Sequence, residues 1–287
     1  MMLDFSPTAA SIIDIDTQEV VFANKSYASL IEKKHQEAIG VTLRRYYANK
    51  VEYDDTVKLI EHGQHVNNQL VELYFPDSQQ ATKWVIASYL KIEYHSKQMI
   101  LAWFFDITDR KVMEEHAQHL AHHDALTGLP NRILFRERLH LAMTMAERDK
   151  YALALMFIDL DEFKPINDTY GHDVGDAVLI QCAERIRARL RKPDSVARLG
   201  GDEFVVLLHK VSDEQAAIHV AEKVLETLQS PMTFEDLTVS VGASIGVALY
   251  PVHSTEEDGL LNCADFAMYD AKRNGRNRVR LFQNEYK

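Results

Sequence analysis

Cysteine is scarce in this chain: Cys182 and Cys263 are the two among 287 residues, far apart and each set in an apolar helical pattern. That argues against a disulfide framework or a CxxC metal site and predicts small buried side chains in a reducing compartment. Long hydrophobic runs are also missing, and a membrane helix needs about 18 uninterrupted apolar residues, so no membrane span is expected. The first residues carry Asp4 and no basic segment leading into an apolar one, so no secretory leader is expected and the predicted location is cytoplasmic. Positive charge is in deficit, with 32 Lys and Arg against 43 Asp and Glu and a formal net charge of −11. A broad nucleic-acid interface needs a basic surface, so nucleic acid is not expected as a partner. A nucleotide substrate stays open, because a bound cation and a few basic groups hold a triphosphate on a protein of any net charge. The phosphate-binding loops GxxxxGK and GxGxxG are absent.

What is present reads as a globular protein of two domains, with 46% hydrophobic and 26% charged residues. Residues 10–15 and 19–23 form two short strands around the turn Asp16-Thr17-Gln18, and a helix over 25–33 follows, capped by Asn24. After a polar middle section come three longer strands at 68–75, 82–94 and 98–106, with Trp84, Ile86, Ser88 and Leu90 sharing one face at period two. The closing Phe105-Asp106-Ile107-Thr108-Asp109-Arg110-Lys111 is similar to the DIT-(D/E)-(R/K) ending of PAS domains. The arrangement over 1–109 resembles that family: an antiparallel sheet with short helices. His35, His62, His65 and His95 are the histidines available as haem ligands there, and no flavin-reactive cysteine is present. The ligand of such a domain is unknown from sequence.

A helix over 109–123 links this region to the next, with Met113, Ala117 and Leu120 near heptad spacing. Two turns of such a pattern fit either a dimerising linker or a connector packed on its own domain. His116, His119, His122 and His123 on it read as solvated side chains before a metal cluster. Beyond Leu126 helices and strands alternate: helix 132–148, strand 152–159, helix 174–191, strands 195–199 and 204–208, helix 214–229, strands 237–241 and 244–250, helix 258–273 and strand 278–282. Hairpins within this series make it α+β and not doubly wound.

Two acidic sets carry chemistry. Asp159, Asp161 and Glu162 lie where an apolar strand ends, and Asp202-Glu203 lies in a turn between two apolar strands behind Gly200-Gly201. Carboxylates there are either solvated loop residues or oxygen donors for Mg²⁺ on a phosphate chain. The glycines fit a tight hairpin or the close approach of a large ligand to the backbone.

Arg198-Leu199-Gly200-Gly201-Asp202-Glu203-Phe204 resembles the signature of the GGDEF family of diguanylate cyclases. Four further segments are similar to that family's motifs, in its order: Asp124 to Arg132 (DALTGLPNR), Phe157 to Asp168 (FIDLDEFKPIND), Tyr170 to Asp176 (YGHDVGD) and Tyr269 to Asn277 (YDAKRNGRN). Leu199 stands where the family often has an aromatic. The resemblance covers nearly all of 124–287 and implies a palm-like central antiparallel sheet flanked by helices. With the PAS-like part, it divides the chain into a sensory domain (1–109), a helical linker (110–123) and a catalytic domain (124–287).

The resemblance further implies that Asp159, the Leu160 carbonyl, Asp202 and Glu203 hold two Mg²⁺ or Mn²⁺ ions, with Asp202 as the base for the 3′-hydroxyl. Asp202, Glu203 and Lys164 are the implied catalytic residues. Asn167 and Asp176 would read guanine, whose O6 acceptor and N1–H and N2–H donors suit an amide and a carboxylate. His172, Gly200 and Gly201 complete the substrate site, and Lys164, Lys272 and Arg276 would sit on the phosphates. The implied reaction joins two GTP into cyclic di-GMP and two pyrophosphate, which requires a homodimer whose arrangement the PAS domain and linker control. Arg191 and Asp194 match the RxxD product-inhibition site. Rival readings are a cyclic di-GMP receptor with a silent active site, a cyclase accepting ATP, and a purely structural PAS dimer.

Overall fold

The structure is a computed structural model that describes residues 6–75, 81–234 and 237–283, and within residues 115–119 the backbone alone. The chain divides into two compact units, Met1–Ala117 and Gln118–Lys287.

The first unit opens with β1 (Ala9–Asp14) and β2 (Val20–Ala23). Asp14 makes the turn between them by accepting the backbone N–H of Asp16 and Thr17 at 3.0 and 3.1 Å. Helix α1 (Lys25–Leu30) is capped by Asn24, whose Oδ1 accepts from the Tyr27 N–H at 2.8 Å. Two short 3₁₀ turns, His35–Ala38 and Leu43–Arg45, lead to α2 (Lys50–Glu61). Strands β3 (Val66–Tyr74), β4 (Thr82–Tyr94) and β5 (Lys97–Asp106) complete an antiparallel five-stranded sheet in the order β2-β1-β5-β4-β3. Its inner face packs Val71, Leu73, Val85, Ala87 and Ala102 against a group of aromatic rings. The Tyr89 and Phe104 rings meet edge-on at 5.9 Å, the Tyr47 and Tyr89 hydroxyls bond to each other, and the Tyr53 hydroxyl donates to Gln18 at 2.7 Å. His35, His62, His65 and His95 are all exposed, so none of them lines this core. Helix α2 occupies what the sequence presents as a polar stretch. Its buried residues are Tyr53, Thr56 and Ile60, a stripe with a single aliphatic side chain.

Helix α3 (Thr108–His122) follows. Thr108 begins it by accepting the Trp84 N–H at 2.9 Å and donating to Asp106 at 2.6 Å, which is the local role of the Asp-Ile-Thr sequence. Met113 and Leu120 are exposed on it, while the side chains of His116, Ala117 and His119 lie outside the described residues.

The second unit runs α4 (Arg132–Asp149), β6 (Ala152–Asp161), α5 (Phe163–Tyr170), α6 (His172–Ala188), β7 (Ser195–Gly200), β8 (Glu203–Val211) and α7 (Glu214–Gln229). After the ribbon β9 (Met232–Phe234) and β10 (Leu237–Val239) come β11 (Gly242–Tyr250), α8 (Glu257–Arg273) and β12 (Arg278–Leu281). The sheet has five strands in the order β12-β11-β6-β8-β7. It departs from the expected antiparallel sheet at its edge, where β12 runs parallel to β11. The expected strand over 237–241 stops at Val239 and pairs with β9 outside the main sheet. Helix α5, unmarked in the sequence, is short and contains Pro165.

Period two on the central strand β6 sorts its side chains between two layers. Ala154, Met156, Ile158 and Leu160 meet α6 and α7 through Val178, Cys182, Ala221 and Val224. Leu153, Leu155 and Phe157 meet α4 and α8 through Phe135, Leu139, Leu260 and Ala264. Both faces are covered, which is why β6 reads as one apolar run without polar alternation. Cys182 is buried with its thiol pKa pushed up to about 12, whereas Cys263 is half-buried, short of the full burial expected of it.

Candidate active site

The alternation on β6 that sorts the core also places the acidic residues. Asp159 and Asp161 continue the face that meets α8, at the end of the central strand. Asp159 pairs in register with Glu203 on β8 and with Ser244 on β11. The two sequence-distant acidic sets therefore meet at the end of the central strand. Gly200 (φ +143°) and Gly201 (φ +53°) make the turn between β7 and β8, a backbone path that side chains disfavour. That turn carries Asp202 beside β6, where the Leu160 N–H donates to the Asp202 carbonyl at 3.2 Å.

Asp159 is 7% exposed, and Lys272 from α8 puts its Nζ 2.7 Å from the carboxylate. Burial raises the Asp159 pKa above the usual carboxylate value. The charges of Asp202 and Asp161 raise it further, and the Lys272 hydrogen bond and charge offset only part of this. A pocket of crowded negative charge with hard oxygen donors fits a divalent cation. Among the described residues no three Asp, Glu, His or Cys side chains form a cage by themselves. The donors available are the Asp159, Asp202 and Glu203 carboxylates and the Leu160 carbonyl.

The remaining candidates lie on α5, on α6 and past the end of α8. Lys164 is exposed on the first turn of α5, and Asn167 lies three residues on. Asn167 is seated by α6: a Cβ on Gly175 would stand 1.8 Å from its Oδ1. That close approach brings Asn167 beside the residue preceding Asp176. Asp176 and His172 are exposed on the same helix. Arg276 lies past the end of α8 with φ +56° and lines a cavity of about 520 Å³ that also includes Asp161, Glu162, Pro165, Gly242 and Asn277.

Three positions that the sequence showed only as motif letters hold the site in place. Arg198 donates from Nη1 to both Asp124 oxygens at 2.9 and 3.1 Å, and from Nε and Nη2 to the Gly201 carbonyl at 2.9 and 2.7 Å. Burial works to raise the Asp124 pKa, but hydrogen bonds from Thr127 and Arg198 outweigh it and hold the carboxyl below its ordinary value. Gly175 is the third, and its signal was available: a glycine inside a helix is tolerated at a cost and marks close packing.

A family model described as diguanylate cyclase, GGDEF domain, matches residues 121–278. The chain belongs to the GGDEF family. Diguanylate cyclase TpbB of Pseudomonas aeruginosa is 47% identical over 174 residues, which cover 60% of this chain and 40% of TpbB. The chain thus spans about two fifths of that relative's length. A solved structure of the TpbB GGDEF domain alone has a TM-score of 0.55 at 48% identity and covers 56% of this chain and 95% of that one. The coiled coil and GGDEF domain of DgcB from Caulobacter crescentus, solved in complex with c-di-GMP, has a TM-score of 0.55 at 28% identity, covering 61% of this chain and 93% of that one.

Elsewhere on this GGDEF domain, Arg191 and Asp194 meet each other before β7. Asp194 accepts the Arg191 N–H at 3.1 Å and Arg191 Nε at 3.3 Å with one oxygen, and the His209 N–H at 3.0 Å with the other. Its side chain is 2% exposed while that of Arg191 is 62% exposed. Asp194 thereby fixes the loop and presents the guanidinium. Both line a cavity of about 390 Å³ together with Arg138, Arg187 and Lys192. Leu199 packs as a strand residue against the α4–α8 core. No described helix is long and apolar enough to cross a membrane.

Proposed function

We propose that the protein is a diguanylate cyclase that condenses two GTP into cyclic di-GMP. The observation that carries this reading is the buried Asp159 carboxylate, crowded by Asp202 and Asp161 at the end of the central strand with the Asp202–Glu203 hairpin beside it. Two magnesium ions, held by Asp159, Asp202, Glu203 and the Leu160 carbonyl, would lower the pKa of the attacking hydroxyl and offset charge on the phosphates. Asn167 and Asp176 would read guanine from adjoining helices, while Lys164, Lys272 and Arg276 neutralise the triphosphate. The 3′-oxygen of each GTP forms a bond to the α-phosphorus of the other. The bond to the β-phosphate oxygen breaks, pyrophosphate leaves, and the hydroxyl proton passes to Asp202 or to water. One domain presents half of the reacting pair, so two chains must meet face to face.

The sheet order β2-β1-β5-β4-β3 and the Asp106–Thr108 join to α3 support reading residues 1–109 as a PAS domain, followed by a linker over 110–123 and the catalytic domain over 124–287. That domain would set activity by altering how two catalytic domains approach. Arg191, presented over a basic cavity, supports product inhibition there: its guanidinium would take a phosphate of cyclic di-GMP.

The test is incubation of the purified protein with GTP and Mg²⁺, with separation of products by chromatography beside an Asp202→Ala variant. Cyclic di-GMP and pyrophosphate from the wild type and neither from the variant is the expected result. A folded wild type that binds cyclic di-GMP through Arg191 yet makes none would overturn the cyclase reading in favour of a receptor.

A further inference from the structure

Asp161 shares a face with Asp159 two residues away, and by charge and position it looks like a further metal carboxylate. Its hydrogen bonds say otherwise. Oδ1 accepts the Ser244 hydroxyl at 2.7 Å, and Oδ2 accepts the backbone N–H of Asn277 at 2.8 Å. The residue is 8% exposed, and each of its oxygens has a donor within the protein. Asn277 is the last of three successive residues with positive φ that leave α8: Gly275 at +102°, Arg276 at +56° and Asn277 at +49°. Side-chain-bearing residues hold that conformation only where the surroundings fix it. Two side chains fix it. Gln229 at the end of α7 donates to Asn277 Oδ1 at 2.8 Å, and the Asp161 carboxylate takes the Asn277 N–H. Gly242 is the register partner of Asp161 and leaves room for this contact, since a Cβ there would stand 3.1 Å from Asn277 Oδ1 and 3.3 Å from Asp161 Oδ2.

We infer that Asp161 is a positioning residue: it ties the end of the central strand to the loop after α8 and so fixes where Arg276 is presented to the nucleotide phosphates. This rests on the reading of Arg276 as a phosphate-binding residue. The brace runs from Ser244 on β11 through Asp161 on β6 to the Asn277 amide. What it requires of residue 161 is two hydrogen-bonding atoms at the carboxylate positions. A metal ligand would require the charge.

That difference makes the test. Asparagine keeps the shape, and its amide oxygen can accept the Asn277 N–H while its NH₂ donates to Ser244 Oγ. Asp161→Asn is therefore expected to stay within about threefold of wild type in both kcat and KM for GTP, whereas Asp161→Ala raises KM about tenfold with kcat changed much less. Ser244→Ala, which loosens the brace without touching the carboxylate, raises KM in the same direction by a smaller factor. The Mg²⁺ concentration for half-maximal rate stays unchanged in Ser244→Ala and rises by the same small factor in the two Asp161 variants, which lose the same charge beside Asp159. Asp161→Asn as damaged as Asp161→Ala in KM, or a shift in the Mg²⁺ requirement of Ser244→Ala, would sink the idea.

A readout independent of turnover separates this from the cyclase reading. Amide hydrogen exchange over residues 274–281 should quicken in Asp161→Ala and Ser244→Ala and be restored in Asp161→Asn. Unchanged exchange would reject the brace even in a chain that makes cyclic di-GMP. Restored exchange in a chain that makes none would uphold the brace and reject the cyclase. Should Asp161→Ala fail to fold, the Ser244→Ala and Asp161→Asn pair decides by the same measurements.

Discussion

Asp159 shows how a single residue can oppose stability while presenting a carboxylate suited to a cation. Its pKa is raised from 3.8 by burial and by its acidic neighbours. Between 3.8 and that raised value the native chain binds more protons than the unfolded chain. In metal-free buffer the stability linked to Asp159 is therefore greatest at low pH and is lost as pH rises through that window. Urea unfolding across acidic pH with EDTA present should show this loss in the wild type and not in Asp159→Asn, which should make no product. A wild-type profile identical to that of the variant would contradict the crowding of charge. At Gly175 the constraint is steric. A methyl there would stand 1.8 Å from Asn167 Oδ1. Gly175→Ala should push Asn167 aside and raise KM for GTP by about tenfold or more, with smaller loss in kcat.

At the scale of elements, the catalytic hairpin is held from outside its own strands. Arg198 is the only described side chain that donates both to the Gly201 carbonyl and to Asp124. Its side chain is 10% exposed, so replacing it leaves a half-buried carboxylate with only its Thr127 donors and takes both Arg198 donors from the turn carbonyl. Arg198→Ala should cost about 2 kcal/mol in chemical unfolding, the range for hydrogen bonds to a charged group at a partly buried site. Asp124→Asn, which keeps an acceptor, should cost clearly less. The α8–β11 contact is tighter still. A Cβ on Gly246 would lie 2.0 Å from the Ala264 carbonyl and 2.1 Å from the Met268 nitrogen, both backbone atoms of the helix. Neither can yield as a side chain can, so Gly246→Ala should lower the thermal midpoint by many degrees or prevent folding.

For the whole molecule, the proposed reaction makes the rate depend on an encounter of two chains. In that reaction each GTP would supply one nucleophile and one electrophile, so specific activity should rise with protein concentration and level off once dimers form. Activity strictly proportional to enzyme over a wide dilution range, with a monomer seen by sedimentation, would reject a two-chain reaction.

The boundaries of most strands and helices were legible in the sequence to within a few residues, because a strand covered on both faces leaves an apolar run and a covered helix leaves a stripe. Helix α2 was not legible, since Tyr53, Thr56 and Ile60 form too polar a buried stripe to stand out from its exposed Val51 and Leu59. Nor was α5, where eight residues with an internal proline give little periodicity. The resemblance to the GGDEF motifs named Asp159, Asp202, Asn167 and Asp176 as a set. What local pattern cannot state is pairing between distant segments. That Asp159 faces Glu203, that β12 runs parallel to β11, and that Arg198 grips Asp124 across 74 positions follow from sheet order and register. So does the difference between two aspartates on one strand face. The sequence by itself determined which residues carry charge and where strands end. Only the tertiary structure decided that Asp159 is crowded by other carboxylates while Asp161 is spoken for by a hydroxyl and an amide, because those partners arrive from 83 and 116 residues away.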